Sequence, residues 1–144
     1  MPDWSRSRWL KQAVADLLAL VSLAIVLVTT LVPGGHAQHQ LNLVPAAELL
    51  GDLRDGSLSN FMVDSFGNIV LFMPFGLFVP LAIRRLRSLG RITLYGGVLS
   101  LAVETAQYAL PIGRYASITD VILNTIGAAA GYITLRLLAW LLAP

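Results

Sequence analysis

The chain has 144 residues, of which 56% are hydrophobic and 12% are charged, and its formal net charge is +2. Soluble domains carry about twice that charged fraction, so the composition argues against a soluble protein and indicates one domain with lipid as its solvent. Cysteine is absent, which excludes disulfides, thiolate metal sites and cysteine nucleophiles.

The first apolar segment runs from about Leu10 to Val32 and is closed by Pro33-Gly34-Gly35. A helix needs about 20 apolar residues to cross the hydrocarbon core, and this segment supplies them. A cleaved signal peptide is the competing interpretation, because basic residues precede the run and Gly35-His36-Ala37 resembles a cleavage site. The run is longer than the usual signal-peptide core of about 7 to 15 residues, which favours a retained helix.

The connection from Pro33 to Ser65 is rich in turn-forming and acidic residues, with a short amphipathic helix predicted around Ala46 to Leu53. The next run, Phe66 to Ile83, carries no charge and is predicted to be a second crossing. Pro74 and Pro80 lie inside it and are expected to kink or locally open the helix.

Two further crossings are predicted before the end of the chain. The third contains Glu104 in an otherwise apolar and small-residue background, and Pro111 with Gly113 terminates it. The sequence therefore predicts an all-α polytopic membrane protein, a single domain over residues 1–144 with four transmembrane helices at about 10–32, 66–83, 92–110 and 121–142.

The basic residues gather beside particular helix ends. Three lie in or before the start of the first helix and four arginines lie between the second and third, whereas the other two connections carry only Arg54 and Arg114. Cytoplasmic connections carry the excess of Lys and Arg, so both termini are expected to face the cytoplasm. This clustering is a topology signal, and we expect no nucleic-acid partner.

Polar residues within the predicted helices fall at a similar depth, in the half of the bundle away from the basic clusters. Ser100, Glu104 and Gln107 are spaced by four and three residues, so they share one face of the third helix. Asp120 and Asn124 are spaced in the same way on the fourth helix. Gly127 and Gly131 continue that face, and this small-xxx-small spacing favours close packing against another helix. Asn68 lies near the matching end of the second helix.

Glu104 is the residue that most needs an explanation. An ionisable group in hydrocarbon costs at least about 2.5 kcal/mol, so it normally pairs, faces water or supports function. Arg114 is the nearest external cation in the sequence and is a candidate anion contact. Two interpretations stay open, a ligand or catalytic pocket and a set of hydrogen bonds between helices. For Asn68 and Asn124 taken alone, the structural interpretation is favoured.

Two weaker patterns do not support metal or phosphotransferase chemistry. His36 and His39 lack a third ligand, and the glycines before them favour a loop. Asp52, Asp55 and Gly56 match only the opening of the CDP-alcohol phosphotransferase motif. We therefore expect no metal and no cofactor.

Four short motifs, in order over about residues 41–131, resemble those of the VanZ-like family. In chain order they are Asn42-Leu43-Val44-Pro45, the run from Gly67-Asn68 to Pro74-Phe75-Gly76, Glu104-x2-Gln107, and Arg114 followed by Asp120-x3-Asn124-x2-Gly127. Ala46 departs from the aromatic residue that many members carry after the proline. The resemblance implies a multi-pass protein of the bacterial cell membrane. The protein after which the family is named lowers susceptibility to the glycopeptide antibiotic teicoplanin. The resemblance does not supply an established reaction.

Two functional hypotheses follow, and whether the chain is an enzyme stays open. In the first, an outward-facing polar pocket binds or modifies an envelope lipid or glycan precursor; in the second, a noncatalytic helper or scaffold serves another envelope protein. The bilayer is an expected partner under both, and an oligomer is compatible with both. For the first, the candidate catalytic residues are Glu104 and Asp120, and the candidate binding residues are Asn42, Asn68, Gln107, Arg114 and Asn124.

Overall fold

The computed structural model describes residues 3–33, 41–112 and 116–143, and four long helices dominate them. The all-helical prediction is confirmed, and the predicted amphipathic helix is present as a short helix of its own. In chain order the helices are α1 (Asp3–Leu31), α2 (Ala47–Arg54), α3 (Leu58–Ala82), α4 (Leu89–Ala109) and α5 (Ile118–Leu141). A 3₁₀ turn, Arg84–Leu86, links α3 to α4.

Two long helices begin well before the apolar segments that predicted them. The expected starts were at about residues 10 and 66, whereas α1 begins at Asp3 and α3 at Leu58. An apolar run marks only the part of a helix that can lie in hydrocarbon, and a helix continues beyond that part wherever the backbone is not interrupted. The two prolines, Pro74 and Pro80, lie within α3, which continues past both.

Three helical segments are long and apolar enough to cross a membrane: Ser7–Leu31, Ser65–Ala82 and Ile118–Leu141. The predicted third crossing, α4, is not among them, although it has 21 residues. Its polar residues are turned inward, since Ser100, Glu104 and Gln107 are all buried. Its exposed positions include large apolar side chains, at Leu94, Val98 and Leu101.

Contacts at the helix ends fix the directions of the helices relative to one another. Gln12 Nε2 in the third turn of α1 donates a hydrogen bond to the carbonyl oxygen of Ala82 at the end of α3, at 3.1 Å, whereas Val26 further along α1 packs on Phe72, so these two helices are antiparallel. Gln107 Nε2 in the last turn of α4 donates to the carbonyl oxygen of Thr30 in the last turn of α1, at 2.9 Å. The last turns of α1 and α4 therefore lie at one end of the bundle, and the arginine-rich turn lies at the other.

The closest helix packing is between α3 and α5, where glycines remove the side chains. A Cβ at Gly127 would overlap the carbonyl oxygen of Ile69, and one at Gly131 would overlap that of Met73. A Cβ at Gly76 on α3 would in turn overlap the backbone of α5. The predicted close packing through Gly127 and Gly131 is confirmed, and their partner is the backbone of α3.

Apolar side chains fill the spaces between the helices in two buried clusters. Val26, Phe72 and Val103 join α1, α3 and α4. The second cluster is built around Phe75 and Ile92 and lies nearer the arginine-rich end. Both clusters contain residues of α4, so this helix is part of the bundle.

A two-residue parallel strand pair closes the end opposite the arginines. Strand β1 (Leu41–Asn42) pairs with β2 (Ala116–Ser117), with Asn42 opposite Ser117. Strands of two residues carry no periodic pattern, and for that reason the sequence did not predict them.

We expect that Gly131→Ala and Gly127→Ala each lower the free energy of unfolding by about 1 to 3 kcal/mol, because an added methyl group must push α3 and α5 apart. The matched control is Gly67→Ala in α3, where a Cβ meets no atom within 4 Å. That change is expected to be neutral or to stabilise by up to about 1 kcal/mol through helix propensity. The free energy of unfolding of the three variants is measured by denaturant titration of the purified protein in detergent, followed by circular dichroism. Equal changes in Gly67→Ala and in the two α5 variants would contradict the close packing of α3 and α5.

Candidate functional site

Glu104 lies on the face of α4 that points into the bundle, and only 6% of its surface is exposed. Its Oε2 accepts a hydrogen bond from the backbone N–H of Ser117, at 2.8 Å. Ser117 is both the last residue of β2 and the N-cap of α5. A carboxylate that accepts a backbone N–H forms a stronger hydrogen bond than a neutral group does, so Glu104 holds the start of α5 against α4.

Two further polar residues flank Glu104 on the same face, and we call Ser100, Glu104 and Gln107 the α4 polar face. On one side, Ser100 Oγ accepts a hydrogen bond from Asn124 Nδ2 of α5, at 2.8 Å. On the other side, Gln107 Nε2 donates to the carbonyl oxygen of Thr30 of α1, at 2.9 Å. All five of these residues are buried, so a polar column lies between α1, α4 and α5.

The oxygen atoms of both amides in this column have no partner among the residues that the structure describes. Gln107 Oε1 and Asn124 Oδ1 are buried and accept no hydrogen bond from the described part of the chain. A buried polar atom left in this state costs about 1 to 3 kcal/mol, and it is normally satisfied by water or by a ligand. The column therefore has two open acceptor positions, one on each side of Glu104 along α4.

Asn68 and Asp120 form a second polar contact, between α3 and α5. Asn68 Nδ2 donates a hydrogen bond to Asp120 Oδ1 at 2.7 Å, in a partly buried position. Asp120 is the third residue of α5 and lies three positions after the N-cap Ser117. A negative charge in the first turn of a helix is stabilised by the helix dipole. The position of Asp120 thus has a structural explanation in addition to the catalytic hypothesis.

Residues 41–46, which we call the strap, lie against the start of α5. Asn42 pairs with Ser117 across the two strands, directly beside the N–H that binds Glu104. The backbone N–H of Ala46 donates to Thr119 Oγ1 at 2.9 Å. The strap is therefore tied to the start of α5 at two points, one at Ser117, which also contacts Glu104, and one at Thr119.

The strap ends in a tight turn at Val44-Pro45-Ala46-Ala47. The backbone N–H of Ala47 donates to the carbonyl oxygen of Val44 at 3.3 Å, and Ala46 is left-handed with φ 60°. Proline followed by a left-handed residue is the pattern of a type II turn, in which glycine is the usual third residue. Asn42 Oδ1 also accepts from the backbone N–H of Val44, at 3.0 Å, so its side chain shapes the strap.

The structure brings most of the predicted site residues together at one end of the bundle, but in separate contacts. Glu104, Gln107 and Asn124 belong to the buried column, Asn68 and Asp120 to the contact between α3 and α5, and Asn42 to the strap. Arg114, the predicted anion contact, lies outside the described residues.

Sequence reasoning missed three residues of the site: Thr30, Ser117 and Thr119. For Ser117 a signal was available, because a serine three positions before an acidic residue, ahead of an apolar run, is typical of a helix N-terminus. Thr30 contributes a backbone carbonyl, which no sequence pattern identifies. Thr119 acts through its contact with the strap, which only the tertiary structure reveals.

We expect Thr119→Val to loosen the strap, since the N–H of Ala46 then loses its acceptor. Losing one such bond costs about 1 kcal/mol or more, so native-state hydrogen exchange at the Ala46 amide should become about tenfold faster. The control is Thr105→Val, which removes an exposed hydroxyl bonded to its own helix. Unchanged exchange at Ala46 in Thr119→Val would show that the strap is held by other contacts.

Comparison with known proteins identifies the family. The VanZ/LLP1 family model matches residues 14–139, a range that includes most of α1 and nearly all of α5, together with every site residue described above. No curated protein and no solved structure matches the chain. Because this match covers far more than half of the sequence, the chain belongs to the VanZ/LLP1 family.

Proposed function

We propose that this protein binds or modifies a lipid or glycan precursor of the bacterial cell envelope at the α4 polar face. The observation that carries the proposal is the buried carboxylate of Glu104 between two amides whose oxygens have no partner among the described residues. Ionisable groups inside membrane helices are costly and usually serve function.

The proposal treats α4 as the fourth membrane crossing. Its polar residues point inward and its exposed surface includes Leu94, Val98 and Leu101, so it can face lipid although its average hydropathy is lowered by the α4 polar face. The last turns of α1 and α4 meet, as four crossings in alternating directions require. The positive-inside rule then puts both termini and the arginine-rich turn in the cytoplasm, and the α4 polar face in the outer half of the bilayer.

In this proposal Glu104 acts as acid, base or proton carrier, because its carboxyl group is the titratable group between the two open acceptors. Gln107 and Asn124 bind the ligand through their side-chain oxygens. Asp120 remains the second catalytic candidate, while Asn68, Asn42 and Arg114 are candidate binding residues nearby. A role in lowering susceptibility to teicoplanin would follow if the bound precursor belongs to the cell wall.

The noncatalytic helper is the second candidate, and one observation favours it. Three polar pairs each join two helices: Asn68 with Asp120, Asn124 with Ser100, and Gln107 with Thr30. Hydrogen bonds between membrane helices stabilise packing by about 0.6 to 2 kcal/mol each. A scaffold protein needs no more than this from its polar residues.

Glu104→Gln separates the two candidates. Glutamine keeps the size of the side chain and an oxygen that can accept from Ser117, but it cannot carry a proton. We expect this variant to reach the membrane and to unfold within about 1 to 2 kcal/mol of the wild type. We also expect the wild-type chain to raise the teicoplanin concentration that stops the growth of a sensitive bacterial host, and we expect Glu104→Gln to lose that increase.

The control for that experiment is Asp16→Asn, the same acid-to-amide change at an exposed position of α1. It should leave both folding and tolerance at wild-type level. Full tolerance in Glu104→Gln with normal folding would rule out the catalytic role, and failure of Glu104→Gln to assemble would support the scaffold.

Single cysteines at the two ends of α4 test the topology, since the natural chain contains none. Leu89 and Leu110 are both 45% exposed, so Leu89→Cys and Leu110→Cys form a matched pair. A membrane-impermeant maleimide added to intact cells is expected to label the cysteine at position 110 at once, and that at position 89 only after permeabilisation. Labelling of both positions from outside would mean that α4 does not cross, and the reverse pattern would invert the orientation.

A further inference from the structure

The two amides beside Glu104 have the same kind of atom without a partner among the described residues. In Asn124 and in Gln107 the side-chain nitrogen donates to a protein oxygen, at 2.8 and 2.9 Å respectively. In both, the side-chain oxygen is buried and has no partner within the described ranges. These residues are 1% and 5% exposed, so bulk water does not satisfy them. At both positions the site therefore presents a hydrogen-bond acceptor.

An acceptor can be satisfied only by a hydrogen-bond donor. Phosphate and carboxylate groups present acceptor oxygens, and at these two positions they would meet amide oxygens beside the carboxyl group of Glu104. Hydroxyl groups donate, and they enter a low-dielectric site at lower cost than an ion does. The chemistry of the column thus selects against an anionic group and for a neutral group that carries hydroxyls.

The spacing along α4 of the two levels at which these amides lie restricts the class of ligand further. Ser100, which binds Asn124, and Gln107 are seven residues apart on α4, which is about 10 Å along the helix axis. One hydroxyl or one ammonium group cannot contact both levels. A sugar or polyol carries several hydroxyls on an extended frame and can donate at both.

We propose that the ligand of this site is the sugar or polyol headgroup of a neutral lipid, which donates hydrogen bonds to Gln107 Oε1 and Asn124 Oδ1. This inference rests on the proposed function and specifies its ligand class. Because both oxygens are buried, the headgroup enters when a neighbouring segment moves.

The test compares two lipids added to the purified full chain in phosphatidylcholine nanodiscs, because the phosphatidylcholine headgroup has no hydrogen-bond donor. One lipid is monoglucosyl diacylglycerol, which is neutral and rich in hydroxyls, and the other is phosphatidylmethanol, which is anionic and has no headgroup donor. Binding is measured by titrating each lipid and following the rise in the thermal unfolding midpoint. The glucosyl lipid is expected to raise the midpoint, and phosphatidylmethanol is not.

Substitutions of the two amides test whether the glucosyl lipid binds at the proposed site. Gln107→Met and Asn124→Leu remove the open oxygens at similar size, and each is expected to weaken binding of the glucosyl lipid about two- to tenfold. Thr105→Val, on the exposed side of the same turn, should bind as the wild type does. If a variant fails to fold, the comparison of the two lipids on the wild type still decides the matter, because discrimination between headgroups needs no substitution.

Three outcomes would overturn the inference. The first is that the glucosyl lipid does not raise the unfolding midpoint, which would leave trapped water as the source of the donors. The second is that phosphatidylmethanol raises the midpoint as much or more, and the third is that both variants bind the glucosyl lipid as the wild type does.

The proposed function can fail independently of this inference. If Glu104→Gln keeps full tolerance while selective binding of the glucosyl lipid persists, the catalytic role is wrong and the ligand class stands. If Glu104→Gln loses tolerance but no selective binding is found, only the ligand class is wrong.

Discussion

A polar group placed between apolar helices must find its partner inside the protein, because lipid offers none. That constraint organises one end of this bundle. Glu104 accepts the N–H of Ser117, and this contact, together with that between Asn124 and Ser100, holds the start of α5 beside α4. The same strand residue pairs with Asn42, so the contact that satisfies the carboxylate also fixes the strap. A change in the partner of Glu104 would therefore affect α4, α5 and the loop together.

The glycines between α3 and α5 are the second condition for this arrangement. With no side chains at Gly127 and Gly131, α5 packs directly on the backbone of α3. The close approach brings the first turns of α5 to the level at which Asn68 can reach Asp120. Helix packing and polar contacts consequently support each other: the small residues set the distance between the helices, and the hydrogen bonds fix how far each helix is shifted along the other.

The balance of satisfied and unsatisfied atoms bears on function. Most polar groups at this end are used between helices, as a protein that only needed to assemble would use them. Within the described residues, Gln107 Oε1, Asn124 Oδ1 and Ser65 Oγ depart from that pattern. The two amide oxygens lie on either side of the buried carboxyl group of Glu104. The chain belongs to the VanZ/LLP1 family, and the proposal for its ligand rests on the two amide oxygens.

The sequence by itself determined the apolar segments, the short α2, the shared face of Ser100, Glu104 and Gln107, and the family. These follow from composition, helical periodicity and motif order, which are local properties of the chain. Helix ends were less predictable, since α1 and α3 extend beyond their apolar runs. Only the tertiary structure decided which groups meet: Ser117 with Glu104, Thr30 with Gln107, Thr119 with the strap, and the two paired strands. A spacing of three or four residues shows that side chains share a helix face, but the partner of that face depends on how separate helices pack, and much of that packing runs through backbone atoms that no sequence pattern marks.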